Sequence, residues 1–302
     1  MASRYSLPIR FGDPAGPNRK GRKMRVWFIT GASRGFGALI AEAALKAGNA
    51  VVATARDPNT VTARLGQHER LLATRLDVTS DAEAHEAAGQ AVKKFGRIDI
   101  LVNNAGYGLL GAIEEASAAE TAKLFNTNVF GLLGVTRAVL PHMRRQRSGH
   151  VINISSVGGY TGYPGWGVYG ATKFAVEGIS EALSAEVAPL GIKVTVVEPG
   201  FFRTDFLDET SLARTAQHID DYRESVGNTR AHAADANHGQ RGDPRKLASA
   251  FIALVNAKNP PLRLPLGSDT VERIEAKNAF VARELTEWRT LATSTDFTDE
   301  AA

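Results

Sequence analysis

The sequence predicts an α/β protein whose core is a doubly wound parallel sheet. Three observations carry this. Short apolar runs alternate with longer helical stretches, the links between them are short, and a glycine cluster closes the first run and opens the first helix. With 302 residues, 43% of them hydrophobic, the chain can bury one large core. No internal repeat or second linker divides it.

The elements follow in order. Residues 26–30, Val-Trp-Phe-Ile-Thr, form the first strand, and Gly31, Gly35 and Gly37 punctuate the turn into an Ala/Leu-rich helix that stops at Gly48. Residues 51–55 are the second strand. Asp57-Pro58 then supplies a helix N-cap and a proline suited to the first helical position. A third strand over 71–76 precedes a helix of low apolar content over about 80–95. The fourth strand, 98–102, runs into Asn103-Asn104-Ala105-Gly106. Residues 121–145 read as a long helix, interrupted near Gly131 and Gly134 and containing Pro141, with Asn126 and Asn128 within it although asparagine is a mediocre helix former. A fifth strand at 150–154 ends at Ser155-Ser156, and a stretch rich in glycine and aromatics leads to a helix that ends near residue 190. The sixth strand, 192–197, is broken by Glu198-Pro199-Gly200. The polar segment 208–242 is too long for an ordinary connection and is expected to contain a lid. A helix at 244–256, a short strand at 262–265 and a C-terminal helix at 270–291 complete the chain.

Charge and composition exclude several classes. The net charge is +4, but residues 1–23 alone hold six basic side chains and one acid, so the rest of the chain is close to neutral. The body therefore has no positive field to recruit a nucleic-acid backbone. Residues 1–23, with three prolines and three glycines, read as a disordered basic extension without the apolar core of a signal peptide. Cysteine is absent, which removes disulfides, thiolate catalysis and cysteine-based zinc sites. No apolar run is long enough for a membrane span, and a cytoplasmic location is expected. His218, His232 and His238 lie in the polar segment without metal-ligand pairing.

Strand, glycine turn and helix together make a phosphate cradle. The glycines allow close backbone approach, and the helix N-terminus offers unpaired N–H groups. The same residues match a nucleophile elbow with Ser33 at its centre, but none of the seven histidines has an evident triad setting. A dinucleotide's adenosine ribose meets the chain about 20 residues past the glycines, where an acid selects NAD and an arginine NADP. Here Arg56 stands there, Arg34 in the loop offers a second cation, and Asp57 is accounted for by its capping role. Tyr169 and Lys173, four residues apart on a helix, share a face. An ammonium beside a phenol favours the phenolate and lowers its pKa, which suits proton exchange with a carbonyl oxygen.

In these motifs the chain resembles the classical short-chain dehydrogenases/reductases over residues 24–270. The motifs are Thr30-Gly31-x-x-x-Gly35-x-Gly37, Asp77, Asn103-Asn104-Ala105-Gly106, Asn128, Ser156, Tyr169-x-x-x-Lys173, and Pro199-Gly200 with Thr204. The wording of 104–111 and 157–178 is similar to the 17β-hydroxysteroid and retinol dehydrogenase-like branch. The resemblance implies a single Rossmann-type domain with a seven-stranded parallel sheet, extended by residues 271–302.

It further implies an NADP(H)-dependent oxidoreductase that interconverts a ketone or aldehyde and an alcohol. Tyr169 would be the acid/base, Lys173 would lower its pKa and bind the nicotinamide ribose, and Asn128 would anchor a water beside Lys173. Ser156 would orient the carbonyl; it is preferred to Ser155 on the family's serine-to-tyrosine spacing. Thr30, Gly31, Ser33, Arg34, Gly35, Phe36 and Gly37 would form the cradle, with Asp77 and Val78 at the adenine. Asn104, Ala105, Gly106, Pro199, Gly200 and Thr204 would line the remaining cofactor length. Phe36 and Thr172 replace the usual isoleucine and serine, changes expected to leave the mechanism alone. Tyr160, Tyr163, Trp166, Phe201, Phe202, Phe206 and Leu207 flank the motifs and suggest a lipophilic or aromatic substrate. Self-association as a dimer or tetramer through 118–147 and 166–190 is also implied. The alternatives are a nucleotide-binding sensor without turnover, disfavoured by retention of the full proton relay, and, remotely, a hydrolase using Ser33.

Overall fold

The apolar runs become strands buried on both faces, as a sheet covered by helices on each side requires. In the computed structural model, which describes residues 24–235 and 239–297, the order begins β1 (Val26–Ile29), α1 (Gly35–Lys46), β2 (Ala50–Ala55), α2 (Pro58–Leu65), β3 (Leu71–Arg75) and α3 (Asp81–Phe95). It continues with β4 (Ile100–Asn103), β5 (Gly108–Leu110), α4 (Ala118–Phe125), α5 (Leu132–Gln146), β6 (Gly149–Ile154), α6 (Gly167–Val187) and β7 (Ile192–Pro199). Then come β8 (Leu212–Arg214), α7 (Asn228–Asp235), α8 (Pro244–Asn256), β9 (Arg263–Leu266) and α9 (Ser268–Thr293). Seven strands form one parallel sheet in the order β3-β2-β1-β4-β6-β7-β9. The fold is thus the Rossmann-type single domain expected.

Side chains alternate across this sheet. Trp27 and Ile29 of β1 face Ile40 and Ala44 of α1 and Leu247 and Phe251 of α8, while Val26 and Phe28 face Ala84 and Ala88 of α3, Val135 and Met143 of α5, and Leu183 of α6. Burial of a side chain such as Phe251 stabilises by roughly 1.5–3 kcal/mol. The helix starts read from the sequence are present: Asp57 accepts from Asn59 N at 3.0 Å, and Ser80 from Glu83 N at 3.2 Å. The chain leaves β1 toward β2 on one side and later enters β4 on the other. The strand order reverses between them, which opens a crevice at their carboxyl ends.

Three features differ from the sequence reading. The interruption expected near Gly131 and Gly134 is a π-helical turn, Asn126–Gly131, that begins earlier, while Gly134 and Pro141 lie inside α5. Such single-turn π segments occur inside α-helices and are frequent at functional sites. The C-terminal helix begins at Ser268, with Thr270 fully buried, so a boundary at 270/271 falls inside a helix. The segment after β7 is folded: β8 pairs in parallel with β5, and α7 follows. The basic extension 1–23 and His238 lie outside the described residues, and no helix among these is long and apolar enough to cross a membrane.

Candidate active site

A cleft of about 1420 Å³ runs along the carboxyl ends of the strands. Its first part is the glycine loop. Gly31 and Gly35 have φ of +63° and +54°, which L side chains rarely adopt. A Cβ on Gly37 would sit 2.4 Å from Gly31 O and 2.6 Å from Asn104 Nδ2, so only glycine lets the loop close on Asn104. No side chain caps α1, and its first turn carries no acid. Its free N–H groups and positive dipole end suit a pyrophosphate.

Thr30 holds this loop from beneath. Its Oγ1 accepts from the N–H groups of Asn104 and Ala105, each at 2.9 Å, and Asn104 Nδ2 donates to the carbonyls of Thr30 and Gly31 at 2.8 and 3.0 Å. Thr30, Gly37 and Asn128 are absent from the lining of the cleft and act one layer back. Ser33, Arg34, Phe36, Arg56, Asp77, Val78, Ala105, Gly106, Pro199, Gly200 and Thr204, expected along the cofactor, do line it. No hydrogen bond joins Ser33 to a histidine among the described residues.

Arg56 is exposed at the end of β2, and no hydrogen bond engages its guanidinium among the described residues. Arg34 is different. Its Nη2 donates to Thr210 O at 2.5 Å, which ties the glycine loop to the segment after β7. Asp77 accepts from Thr79 Oγ1 at 2.7 Å and Thr79 N at 3.0 Å. These bonds, with Arg56 and Arg75 nearby, hold its carboxyl below the usual range. An acceptor fixed in this way can receive an amino group.

Farther along, Ser156, Tyr169 and Lys173 meet. Ser156 follows β6 and its Oγ accepts from Gly158 N at 3.1 Å. Lys173 Nζ donates to Ile154 O at 2.9 Å and stands 5.7 Å from the centre of the Tyr169 ring. Ser155 turns away: its Oγ donates to Lys173 O at 3.5 Å, so it is Ser156 that neighbours the phenol. Burial pushes the Tyr169 phenol up to about 12, against a hydrogen bond from Ser156 that lowers it. Burial likewise drives Lys173 down to about 8, with Glu177 opposing. This corrects the simple expectation that the lysine lowers the tyrosine, because both groups share one low-dielectric pocket and desolvation dominates each.

Asn128 is buried in the π-turn. Its Oδ1 accepts from Tyr107 N at 3.1 Å, and its Nδ2 donates to Tyr107 O at 2.9 Å and to Thr172 Oγ1 at 3.2 Å. Thr172 in turn donates to Tyr169 O at 2.7 Å. The threonine, which sequence reasoning set aside, therefore belongs to the support of the tyrosine. Its place three residues after Tyr169 was the available signal.

Aromatic rings wall the cleft beside Tyr169. Trp166 lies edge-on at 5.6 Å and Phe206 at 5.7 Å, and these two stack at 6.5 Å. Tyr163, Phe201, Phe202 and Leu207 also line the space. Tyr160 does not; its hydroxyl donates to Asn278 on α9 at 2.6 Å. The segment over the cleft is fastened by carboxylates of residues 114–120. Buried Glu115 pairs with Arg230 of α7 and accepts from Ile219 N at 2.9 Å, Glu120 accepts from Ala216 N at 3.0 Å, and Glu114 accepts from Tyr222 Oη at 2.5 Å. Burial alone would raise Glu115, but the N–H groups of Ile219 and Ala112 and the Arg230 guanidinium outweigh it and hold the carboxyl at about 2.

Comparison with known proteins agrees with this geometry. The family model for short chain dehydrogenase matches residues 25–215. Oxidoreductase BOA17 of Botryotinia fuckeliana is 38% identical over 270 residues, 89% of this chain and 98% of that protein. The 3-ketodihydrosphingosine reductase of Bacteroides thetaiotaomicron is 41% identical over 244 residues, 80% and 88% of the two chains. A crystal structure of a short-chain dehydrogenase from Streptomyces avermitilis superposes with a TM-score of 0.84 at 42% identity, over 91% of this chain and 100% of that one. Other solved neighbours hold NAD or NADP.

Proposed function

From a chain that belongs to the short-chain dehydrogenase/reductase family of oxidoreductases, we propose an NADP(H)-dependent enzyme that interconverts a lipophilic ketone or aldehyde and its alcohol. The observation that carries this reading is the meeting of Ser156, Tyr169 and Lys173 on the same cleft as the glycine loop, beside the Trp166 and Phe206 rings. The donor set fits the cofactor. The loop from Gly31 to Gly37 would hold its pyrophosphate, Arg56 its 2′-phosphate, Asp77 and Val78 the adenine, and Lys173 and Thr204 the nicotinamide end. When bound, NADPH supplies the hydride.

The chain's own residues do the rest. Tyr169, pushed up to about 12 by burial, carries its proton at neutral pH and can give it to the substrate oxygen in the reductive direction, the reverse reaction using the same groups. Ser156 donates a second hydrogen bond to that oxygen as charge builds on it. Lys173 places positive charge beside the phenolate that proton transfer leaves behind. The Thr172 and Asn128 bonds fix the backbone of Tyr169 while this happens. Trp166, Phe206 and Leu207 exclude water and favour an apolar substrate body. A relative named for a keto substrate, 3-ketodihydrosphingosine, supports a ketone.

A binding module without turnover would have no use for this relay. The deciding experiment is NADPH oxidation with a panel of lipophilic ketones, comparing the wild type with Tyr169→Phe. Turnover should fall to near background in the variant while NADPH affinity stays within a few-fold. Wild-type turnover in the variant would refute the assignment.

A further inference from the structure

Behind Lys173 lies a cluster for which the proposed reaction has no role. Glu177 follows Lys173 by four residues on α6, so the two share a helix face. Glu177 is 5% exposed, and Glu198, near the end of β7, is 1% exposed. Both carboxylates accept from Nη1 of Arg263 on β9, Glu198 at 3.4 Å, while Nη2 of the same guanidinium reaches Glu181 at 3.1 Å. One oxygen of each buried carboxylate, Oε1 of Glu177 and Oε2 of Glu198, meets no hydrogen-bond donor.

That arrangement is short of a proton. Two adjacent carboxylates out of water cannot both ionise cheaply on one guanidinium, and an acceptor left bare in the interior is costly. A single proton held by the carboxyl pair would relieve this cost. Burial, the largest effect on each, raises both carboxyls above the usual carboxylate range. The Glu198 charge raises Glu177 further against a hydrogen bond from Ser155, while Arg263 and a hydrogen bond with Glu177 pull Glu198 back. The groups facing Glu177 are Lys173 and Glu181 on its own helix, Ser155 after β6, Glu198 on β7 and Arg263 on β9. Arg263 is covered by the Tyr160 ring at 5.9 Å.

We infer that Glu177 is a positioning residue, set one turn behind Lys173 and coupled through Glu198 and Arg263, so that the proton shared by the two carboxyls governs the charge Lys173 carries. The inference rests on the placing of Lys173 in the site proposed above. Burial works to discharge Lys173, and an ionised Glu177 works to keep it charged. When the pair releases its proton, Lys173 is held cationic to higher pH. When the pair keeps the proton, Lys173 loses its nearest counter-charge.

The two glutamates must then have opposite effects. Glu177→Gln removes the counter-charge and lowers the pH at which Lys173 discharges. Glu198→Gln removes the competitor for Glu177's ionisation and raises that pH. A purely structural role would shift both variants the same way or neither.

The test follows the titration of Lys173 by NMR on the full chain with isotope-labelled lysine side chains, assigned by comparison with Lys173→Arg. This reading needs neither substrate nor turnover. The expected result is a downward shift of about one pH unit or more in Glu177→Gln and an upward shift in Glu198→Gln. Equal titration in the wild type and both variants, or shifts of one sign, would overturn the inference. NADPH binding by fluorescence on the same samples separates the two readings, since a wild type that binds no NADPH sinks the proposed function while the titration still judges the glutamates. Should Glu177→Gln fail to fold by circular dichroism, Glu177→Asp takes its place. It withdraws the charge from Lys173 by one methylene, so a smaller downward shift is expected, and no shift would count against the inference.

Discussion

Thr172 Oγ1 accepts a hydrogen bond from Asn128 Nδ2 at 3.2 Å and so joins the π-turn to the helix that carries Tyr169. The same hydroxyl donates to Tyr169 O at 2.7 Å. Thr172→Val keeps the shape and removes both bonds. We expect a stability loss of about 1–3 kcal/mol, the cost of unmaking bonds between buried polar groups, and a kcat lower by about tenfold through misplacement of Tyr169. Thr172→Ser should behave as wild type. Thermal melts and steady-state kinetics check both statements.

The proposed preference for NADPH rests on Arg56. A charge-assisted hydrogen bond contributes about 1.5–3 kcal/mol, so Arg56→Ala should weaken NADPH binding about ten- to a hundredfold and leave NADH nearly unchanged. Arg34→Ala should do less to NADPH, because that guanidinium is engaged by Thr210 O at 2.5 Å. Its loss should instead loosen the segment after β7, seen as faster proteolysis there. Cofactor titrations at two salt concentrations are the measurement, with NADPH the more salt-sensitive.

Acid should weaken the fold in a window set by His150. This side chain is buried in β6 with Nε2 2.9 Å from Thr195 Oγ1, and burial, helped by Lys193 and Arg25, lowers it to about 4 from its ordinary 6.5. The folded value lies below the unfolded one, so the unfolded chain binds the extra proton. The contribution is complete above about 6.5 and is lost as pH falls toward about 4. His150→Gln should flatten the pH dependence of the unfolding midpoint in that window, and an unchanged slope would contradict the account.

Self-association is the remaining prediction. Phe130 in the π-turn is 57% exposed and Phe174 on α6 is 47% exposed, on the two helical segments expected to meet between subunits. Burying such rings is favourable by roughly 1.5–3 kcal/mol each. Light scattering should show a dimer or larger in the wild type, and Phe130→Glu with Phe174→Glu should yield monomer. A wild-type monomer at micromolar concentration would end this proposal.

The sheet was legible because its strands are continuous apolar runs closed by glycine or by polar caps such as Asp57 and Ser80. The cradle was legible because Gly31, Gly35 and Gly37 answer to backbone constraints that no other residue meets. A break in the long helix was legible from Gly131 and Gly134, but its π-helical form and its start at Asn126 were not. β5 and β8 are three residues each and read as loop. Glu177 and Glu198 looked like ordinary charged positions, because burial of a carboxylate depends on Arg263, which lies far along the chain. The raised phenol of Tyr169 was missed for a related reason: pairing with Lys173 is a matter of spacing, whereas desolvation is a property of the whole pocket.

The fastening of the segment over the cleft has a consequence for how substrate preference can change. Its anchors, Glu114, Glu115 and Glu120 with Tyr222, Ala216, Ile219 and Arg230, are different residues from Leu207, Asn228, Thr229 and His232, which line the space. Hold and selectivity thus reside on separate positions. Lining residues can be exchanged for larger, smaller or more polar ones while the roof stays attached, so membership of an oxidoreductase family leaves the identity of the accepted small molecule free to drift.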